Sequence, residues 1–188
     1  MPQDAFHIKR LTAELRDFLV GGKINRISQV NKDELTFIIY TGKSTVKLIL
    51  SANASNARVC LSLTEKEPAP IAPNFCMLLR KHLQGAEILD VRQHEFERII
   101  EIDLHCTTDF SESKRTLHCE LMGKYSNLLL TENGVILGAL KTTALEVDFY
   151  DDHELHITEH IRFLLSSEFK RVSDGGETKK RFEAHIEA

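Results

Sequence analysis

The hydrophobic positions of the chain first repeat with the period of a helix and then with the period of strands. Apolar residues three and four positions apart between residues 6 and 19 predict a first helix, which Asp4 caps and a pair of glycines ends. The same spacing returns after Pro73 and predicts a second helix that ends at Gly85. Both helices are amphipathic, so each is expected to bury one face.

Most other segments up to residue 140 alternate apolar and polar residues, as half-buried strands do. Such segments are residues 34–40, 45–51, 57–63, 86–93, 96–105, 115–122, 126–131 and 135–140. Residues 41–43 and the pair Asn133-Gly134 predict tight hairpins between neighbouring segments. Because strands joined by hairpins are antiparallel, we predict an α+β fold, mainly an antiparallel two-sheet β-sandwich flanked by helices.

The balance of charge changes near residue 145. Residues 1–145 carry 18 Lys and Arg against 17 Asp and Glu, whereas residues 146–188 carry 6 against 11. We therefore expect a domain over residues 1–145 and an acidic, partly helical appendage of unclear role over residues 146–188. The composition, 42% hydrophobic and 28% charged, is that of a globular protein, and the net charge of −4 gives no overall basic signature.

The cysteines and the apolar runs predict the cellular compartment. No apolar run reaches the roughly 20 residues of a membrane span, so no membrane protein is expected. Charged residues are spread through the first twenty positions, so no export signal is expected either. Four cysteines occur without any C-x-x-C pair. We interpret them as reduced, buried thiols of a cytoplasmic protein.

Arg98 has the most informative position within a predicted strand. Alternation over residues 96–105 places it on the apolar side, together with Phe96 and three aliphatic residues. A charged side chain there is costly unless it is paired or reaches the rim. Two interpretations remain open: a structural ion pair, or an arginine held at the end of a sheet to meet a phosphate or carboxylate.

The run from His156 to His160, with Glu159, matches the H-x-x-E-H pattern of inverted zinc proteases. Two histidines four positions apart share one helix face and could bind zinc. A catalytic zinc site needs a third protein ligand, which in that pattern comes from well downstream, and the sequence has only a short stretch there. A solvated amphipathic helix is therefore the favoured interpretation, and no metal is predicted.

Two other segments are weaker candidates for contacts with nucleic acid. Arg80 and Lys81, near the end of the second helix, could present charge to a phosphate. Residues 120–127 combine a carboxylate, a Gly, a Lys, a Tyr and small polar residues, a mixture that suits either nucleic-acid contacts or a simple hairpin connection. The sequence has no phosphate-binding loop, dinucleotide fingerprint or nucleophile elbow, so no cofactor is predicted and nothing requires an enzyme.

Four ordered stretches resemble the signature stretches of NFACT-N domains, long labelled fibronectin-binding protein A. They are residues 6–29, 73–88, 96–102 and 120–130, and the resemblance spans roughly residues 6–145. It implies a fold similar to the N-terminal lobe of formamidopyrimidine DNA glycosylases. It also implies a cytoplasmic, ribosome-associated quality-control factor, which binds stalled large ribosomal subunits carrying peptidyl-tRNA and positions tRNA for template-free alanine tailing of the nascent chain.

The resemblance also implies which residues face the tRNA. The family's Asp-Arg pair falls on Glu97 and Arg98, so the arginine is kept and the acid is longer by one methylene. The second tRNA-facing patch falls on Glu120, Leu121 and Met122, and Lys124 follows it. In this family the ribosome supplies the chemistry of peptide-bond formation, so the resemblance implies a binding protein that is not itself an enzyme.

Two other functions remain open. The old family label suggests a surface adhesin that binds fibronectin, against which the missing export signal speaks. The start Met1-Pro2 suggests a glycosylase-like DNA-binding or DNA-processing protein, because those enzymes use an N-terminal proline followed by glutamate. Here Gln3 replaces that acid, so we interpret Pro2 as a coincidence.

Overall fold

A computed structural model describes residues 3–63, 67–108 and 111–142. Its elements, in chain order, are α1 (Ala5–Leu19), β1 (Lys23–Asn31), β2 (Glu34–Tyr40), β3 (Thr45–Ser51), β4 (Arg58–Ser62), α2 (Asn74–Leu83), β5 (Glu87–Gln93), β6 (Ile99–Thr108), β7 (Ser111–Glu120), a 3-10 helix (Gly123–Tyr125), β8 (Asn127–Glu132) and β9 (Val135–Ala139). His156 and His160 lie outside the described residues, so the choice between a solvated helix and a zinc-binding pair is not tested. Neither described α-helix has the length and hydrophobicity that crossing a membrane requires.

The described strands form one nine-stranded sheet in the order β4-β3-β2-β1-β5-β6-β7-β8-β9. Neighbours from β4 to β8 are antiparallel, so the α+β fold with a mainly antiparallel sheet is confirmed. The prediction of two separate sheets was wrong, because β1 and β5 join the two halves through Lys23 and Glu87. Hydrogen bonds of Ile24 with Gly85 and Ala86 strengthen this seam. The likeness to a glycosylase lobe stays a prediction.

Both predicted helices are confirmed, and each begins or ends for a local reason. The Asp4 side chain accepts a hydrogen bond from the His7 amide at 2.7 Å, which satisfies a free N–H at the start of α1. Gly85 follows α2 with a φ of +83°, a conformation that favours glycine. The hairpin at Asn133-Gly134 is also confirmed, with positive φ at both residues.

One hydrophobic core joins the helices to the sheet. It contains Ile8, Leu15 and Leu19 from α1 and Phe75, Leu79 and Leu83 from α2. From the sheet it receives alternate residues such as Phe37 and Ile102, as expected for strands with one buried face. The four cysteines are free thiols: three are buried in this core, whereas Cys60 is only half-buried.

The open stretch of β1 beyond the seam is closed by α2 and the segment before it. The Arg80 Nε donates to the Ile27 carbonyl at 2.8 Å, and the Ala69 amide donates to the Gln29 carbonyl at 2.9 Å. These bonds satisfy backbone acceptors that a neighbouring strand would otherwise take. Arg80 is therefore part of the framework of the fold.

The Cα positions group the chain into two units, residues 1–133 with 137–142 and residues 134–136 with 143–188. Most of the second unit lies outside the described residues. The boundary expected near residue 145 stays a prediction, as does the acidic appendage over residues 146–188. All side chains of the candidate site described below belong to the first unit.

Candidate nucleic-acid interface

Arg98 lies in the turn between β5 and β6. The strand prediction began at residue 96, but β6 begins at Ile99, so the position of Arg98 on an apolar strand face was wrong. The chain reverses at Glu95, which has a φ of +46°, and the Glu97 amide donates to the His94 carbonyl at 3.0 Å. A residue in such a turn points to solvent, and Arg98 is exposed.

The guanidinium of Arg98 has no side-chain hydrogen bond or ion pair within the described residues. The structural ion pair considered above therefore finds no partner there. The turn that carries Arg98 is nevertheless well held. The Gln93 side-chain amide donates both to the Glu97 carbonyl at 2.7 Å and to the Ala5 carbonyl at 3.0 Å, which ties the turn to the start of α1.

The connection between β7 and β8 lies beside this turn. The Leu121 amide donates to the Arg98 carbonyl at 2.9 Å, so the two predicted tRNA-facing segments are joined by a backbone hydrogen bond. The connection then forms the 3-10 helix, which starts at Gly123 with a φ of +59°. Its Lys124 and Tyr125 are exposed, and the Lys124 Nζ lies 4.8 Å from the centre of the Tyr125 ring.

The predicted site residues differ in how far they reach solvent. Glu120 and Leu121 are buried, Glu97 and Met122 are half-buried, and Arg98 and Lys124 are exposed. Burial raises the pKa of Glu120 to about 7. The side chains of Glu120 and Leu121 therefore hold the connection in place, and Arg98 and Lys124 present charge to solvent.

A third loop reaches the same end of the sheet. A Cβ built on Gly123 would stand 3.8 Å from the Ala54 carbonyl oxygen in the β3–β4 loop. Beyond that loop, the Gln3 side-chain amide pairs with both the amide and the carbonyl of Val59, each at 3.1 Å. The start of the chain, the β3–β4 loop, the β5–β6 turn and the β7–β8 connection thus form one surface, which we call the loop end.

Arg80 and Lys81 are not brought to the loop end. The Arg80 guanidinium bonds a backbone carbonyl of β1, as described above, and Lys81 is exposed on α2. The carbonyl of the next residue, His82, accepts from the Arg115 Nη1 at 2.8 Å. Arg115 precedes Glu120 by five residues on β7, so the two residues are about 17 Å apart along the strand at about 3.4 Å per residue. The end of α2 that contacts Arg115 is therefore away from the loop end.

A polar cluster that the sequence did not predict crosses the outward face of β5, β6 and β7. It consists of Arg92, His94, Glu101, Asp103 and His118. Glu101 accepts from the Arg92 Nη2 at 2.8 Å, and its other oxygen lies 3.1 Å from the His94 Nδ1 and 3.3 Å from the His118 Nδ1. Arg92 also bonds Asp103.

Glu101 is the centre of the polar cluster. Burial alone would raise the pKa of its carboxyl, but the hydrogen bond from His118 and the positive charges of Arg92, His118 and His94 lower the pKa to about 2. The carboxylate therefore stays ionised and bound. No group of three or more His, Cys, Asp or Glu in the described residues is arranged to hold a metal ion. We interpret the cluster as structural.

Comparison with curated proteins finds relatives whose names refer to ribosome quality control. It is 34% identical over 153 residues to the Rqc2 homolog RqcH of Streptococcus suis, covering 80% of this chain and 28% of that protein. It is 33% identical over 153 residues to the Rqc2 homolog RqcH of Bacillus subtilis, covering 80% and 27%. Identity to ribosome quality control complex subunit 2 of Schizosaccharomyces pombe is 27%, over 77% of this chain and 14% of that protein.

Two solved structures share the fold. The N-terminal domain of fibronectin-binding protein PavA from Streptococcus pneumoniae has a TM-score of 0.75 and 35% identity, covering 78% of this chain and 57% of that chain. The N-terminal part of the fibronectin/fibrinogen-binding protein of Streptococcus suis has a TM-score of 0.75 and 34% identity, covering 79% and 57%.

The chain therefore spans just over a quarter of the length of these two bacterial RqcH relatives. The family model described as NFACT N-terminal and middle domains matches residues 4–149, which is most of the sequence. The resemblance stated from the four ordered stretches is thus confirmed. The chain belongs to the NFACT family, whose matched relatives are named as ribosome quality-control factors.

Proposed function

We propose that this chain is a tRNA-binding module of a ribosome quality-control factor that acts in the cytoplasm. In this role it engages stalled large ribosomal subunits carrying peptidyl-tRNA and positions tRNA for template-free alanine tailing of the nascent chain. One observation carries the proposal. Arg98 is exposed at the loop end, without a side-chain partner in the described residues, directly beside the second segment that the family resemblance assigns to tRNA.

The chemistry of Arg98 suits a phosphate. A guanidinium presents five N–H donors in a planar fork, which matches phosphate oxygens, and its charge persists at every physiological pH. Lys124, on the neighbouring connection, adds a second exposed cation. Glu97 is half-buried beside Arg98, where its carboxylate can accept hydrogen bonds from ribose hydroxyls or base amino groups but not from phosphates.

The proposed role requires no catalytic group from this chain. Peptide-bond formation belongs to the ribosome, and the module contributes position and orientation. The loop end supports this division because its two exposed cations stand on segments that backbone hydrogen bonds hold together. A rigid surface of this kind loses little conformational entropy when it binds.

The test measures tRNA binding by the complete 188-residue chain across a salt series. Phosphate contacts predict an affinity that falls steeply between about 50 and about 200 mM salt. Arg98→Ala should lower the affinity about tenfold and make the slope of log K against log salt shallower by about one. Lys81→Ala is the matched control, because it removes an exposed cation away from the loop end and should change little. Equal effects of the two variants would contradict the proposal.

A second candidate is fibronectin binding, because both solved structures are named as fibronectin-binding proteins. Immobilised fibronectin and labelled tRNA can be offered to the same preparation of the chain. We expect saturable binding to tRNA alone. Saturable fibronectin binding that Arg98→Ala leaves intact, without tRNA binding, would favour the adhesin instead.

A further inference from the structure

Two exposed phenylalanines meet at the loop end. Phe6, in the first turn of α1, and Phe96, in the β5–β6 turn, have ring centres 4.8 Å apart and planes at 83° to each other. Phe6 is 75% exposed and Phe96 is 47% exposed. The Lys9 Nζ lies 6.0 Å from the centre of the Phe96 ring. We call this pair of rings the aromatic notch.

The two rings stand nearly at a right angle, and the Lys9 Nζ lies over the Phe96 ring. In an edge-to-face pair, one ring turns its edge toward the face of the other, so each ring keeps a face that nothing in the pair covers. The high exposure of Phe6 shows that much of its surface meets solvent. The pair is also fixed in place, since the Gln93 side chain bonds the carbonyls of Ala5 and Glu97 on either side of it.

We propose that the aromatic notch stacks one unpaired nucleobase of the bound RNA, while Arg98 holds the phosphate of the same or the next nucleotide. This inference rests on the function proposed above and names the part of the RNA that the loop end recognises. The ligand class is a single-stranded or looped-out nucleotide, because a base inside a duplex has no free face to offer.

The spacing of the groups supports a nucleotide as the occupant. Phe96 and Arg98 are two residues apart, so their Cα atoms lie at most about 7 Å from each other. An exposed aromatic ring and an exposed guanidinium thus come from the same short turn, and proteins use this combination of groups for single-stranded nucleic acid. Lys9 adds a further positive charge next to the ring. An apolar peptide would make no favourable electrostatic interaction with Arg98 and Lys9.

The test compares two short oligonucleotides with the same number of phosphates, one of uridines and one in which every base is absent. Phe96→Leu and Phe6→Leu should each lower the affinity of the complete chain for the uridine oligonucleotide about tenfold, and should leave the affinity for the abasic one unchanged. Phe96→Tyr, which keeps an aromatic face, should retain the affinity. Phe18→Leu is the matched control, because Phe18 is also on α1 and 59% exposed but stands at the opposite end of the helix.

The outcomes separate this inference from the function on which it rests. If Arg98→Ala weakens tRNA binding and the leucine variants do not, the notch is not a base site and tRNA binding stands. Equal losses for the uridine and abasic oligonucleotides would show that the leucine variants only displace the turn, and would overturn the inference. If neither Arg98→Ala nor the leucine variants change tRNA affinity, both proposals fail.

Discussion

The polar cluster and the loop end carry similar charges in opposite circumstances. In the cluster, Arg92 bonds two carboxylates and the buried Glu101 is met by three cationic or imidazole groups. At the loop end, six residues further along the chain, Arg98 is exposed and has no side-chain partner in the described residues. Charges that are paired within the protein stabilise its fold, whereas an exposed charge on a fixed turn is accessible to a ligand.

The two largest effects are expected from two buried carboxyl groups, the first of which is at the centre of the polar cluster. A pKa lowered from 4.5 to about 2 means that ionised Glu101 adds about 3 kcal/mol to the free energy of unfolding above pH 4.5, and that this is lost as the pH falls toward 2. Glu101→Gln should therefore be about 3 kcal/mol less stable near pH 5, with a flatter acid limb. Urea unfolding across this pH range measures both. A variant with the acid limb of the parent chain would contradict the structural role of the cluster.

Glu120, at the border of the loop end, should show the opposite dependence on pH. Its carboxyl has a pKa raised to about 7 in the folded chain, so folding favours the protonated form. This contribution is complete below about pH 4.5 and is lost as the pH rises through 7. Glu120→Gln should therefore be more stable than the parent chain by about 3 kcal/mol at about pH 8.5, and the difference should vanish near pH 4. The same stability difference at both pH values would contradict a raised pKa of Glu120 in the folded chain.

The smallest effect comes from the direct comparison of the two arginines. Arg92→Ala should lower the free energy of unfolding by about 1.5 kcal/mol, because it removes a charged partner from Glu101. Arg98→Ala should change it by less than about 0.5 kcal/mol, since it removes an exposed side chain that has no hydrogen bond or ion pair within the described residues. For tRNA affinity the order should be reversed. Urea unfolding measures the stability of both variants, and titration with tRNA measures their affinity. A large loss of stability in Arg98→Ala would contradict the difference in role between the two arginines.

The helices and hairpins were predictable because their signals are local. Strand β1 was missed, since its pairing with β2 is shifted between Ile24 and Arg26 and again between Gln29 and Asn31. Each shift breaks the alternation of apolar and polar residues by which strands are recognised. The single sheet was also unpredictable, because the seam between Lys23 and Glu87 joins residues that are far apart in the sequence.

The candidate site was predictable as a set of residues but not as a surface. Strand periodicity assigned Arg98 to the wrong element, because the turn at Glu95 leaves no local signal. The assignment of Arg98 to tRNA by family resemblance stays a prediction. The polar cluster depends on the register that sets Glu101 opposite both Arg92 and His118. The aromatic notch depends on the packing of α1 against the β5–β6 turn. Neither contact has a pattern along the chain.

The hydrogen bond from Arg80 to the carbonyl of Ile27 has a consequence for how the protein behaves in a crowded solution. A row of free backbone acceptors along β1 would be a template on which a second molecule could add a strand and begin to aggregate. The guanidinium of Arg80 and the amide of Ala69 occupy two of those acceptors. Arg80, which by its sequence alone could present charge to a phosphate, thus helps to cover a stretch of β1 to which a second copy could otherwise add a strand.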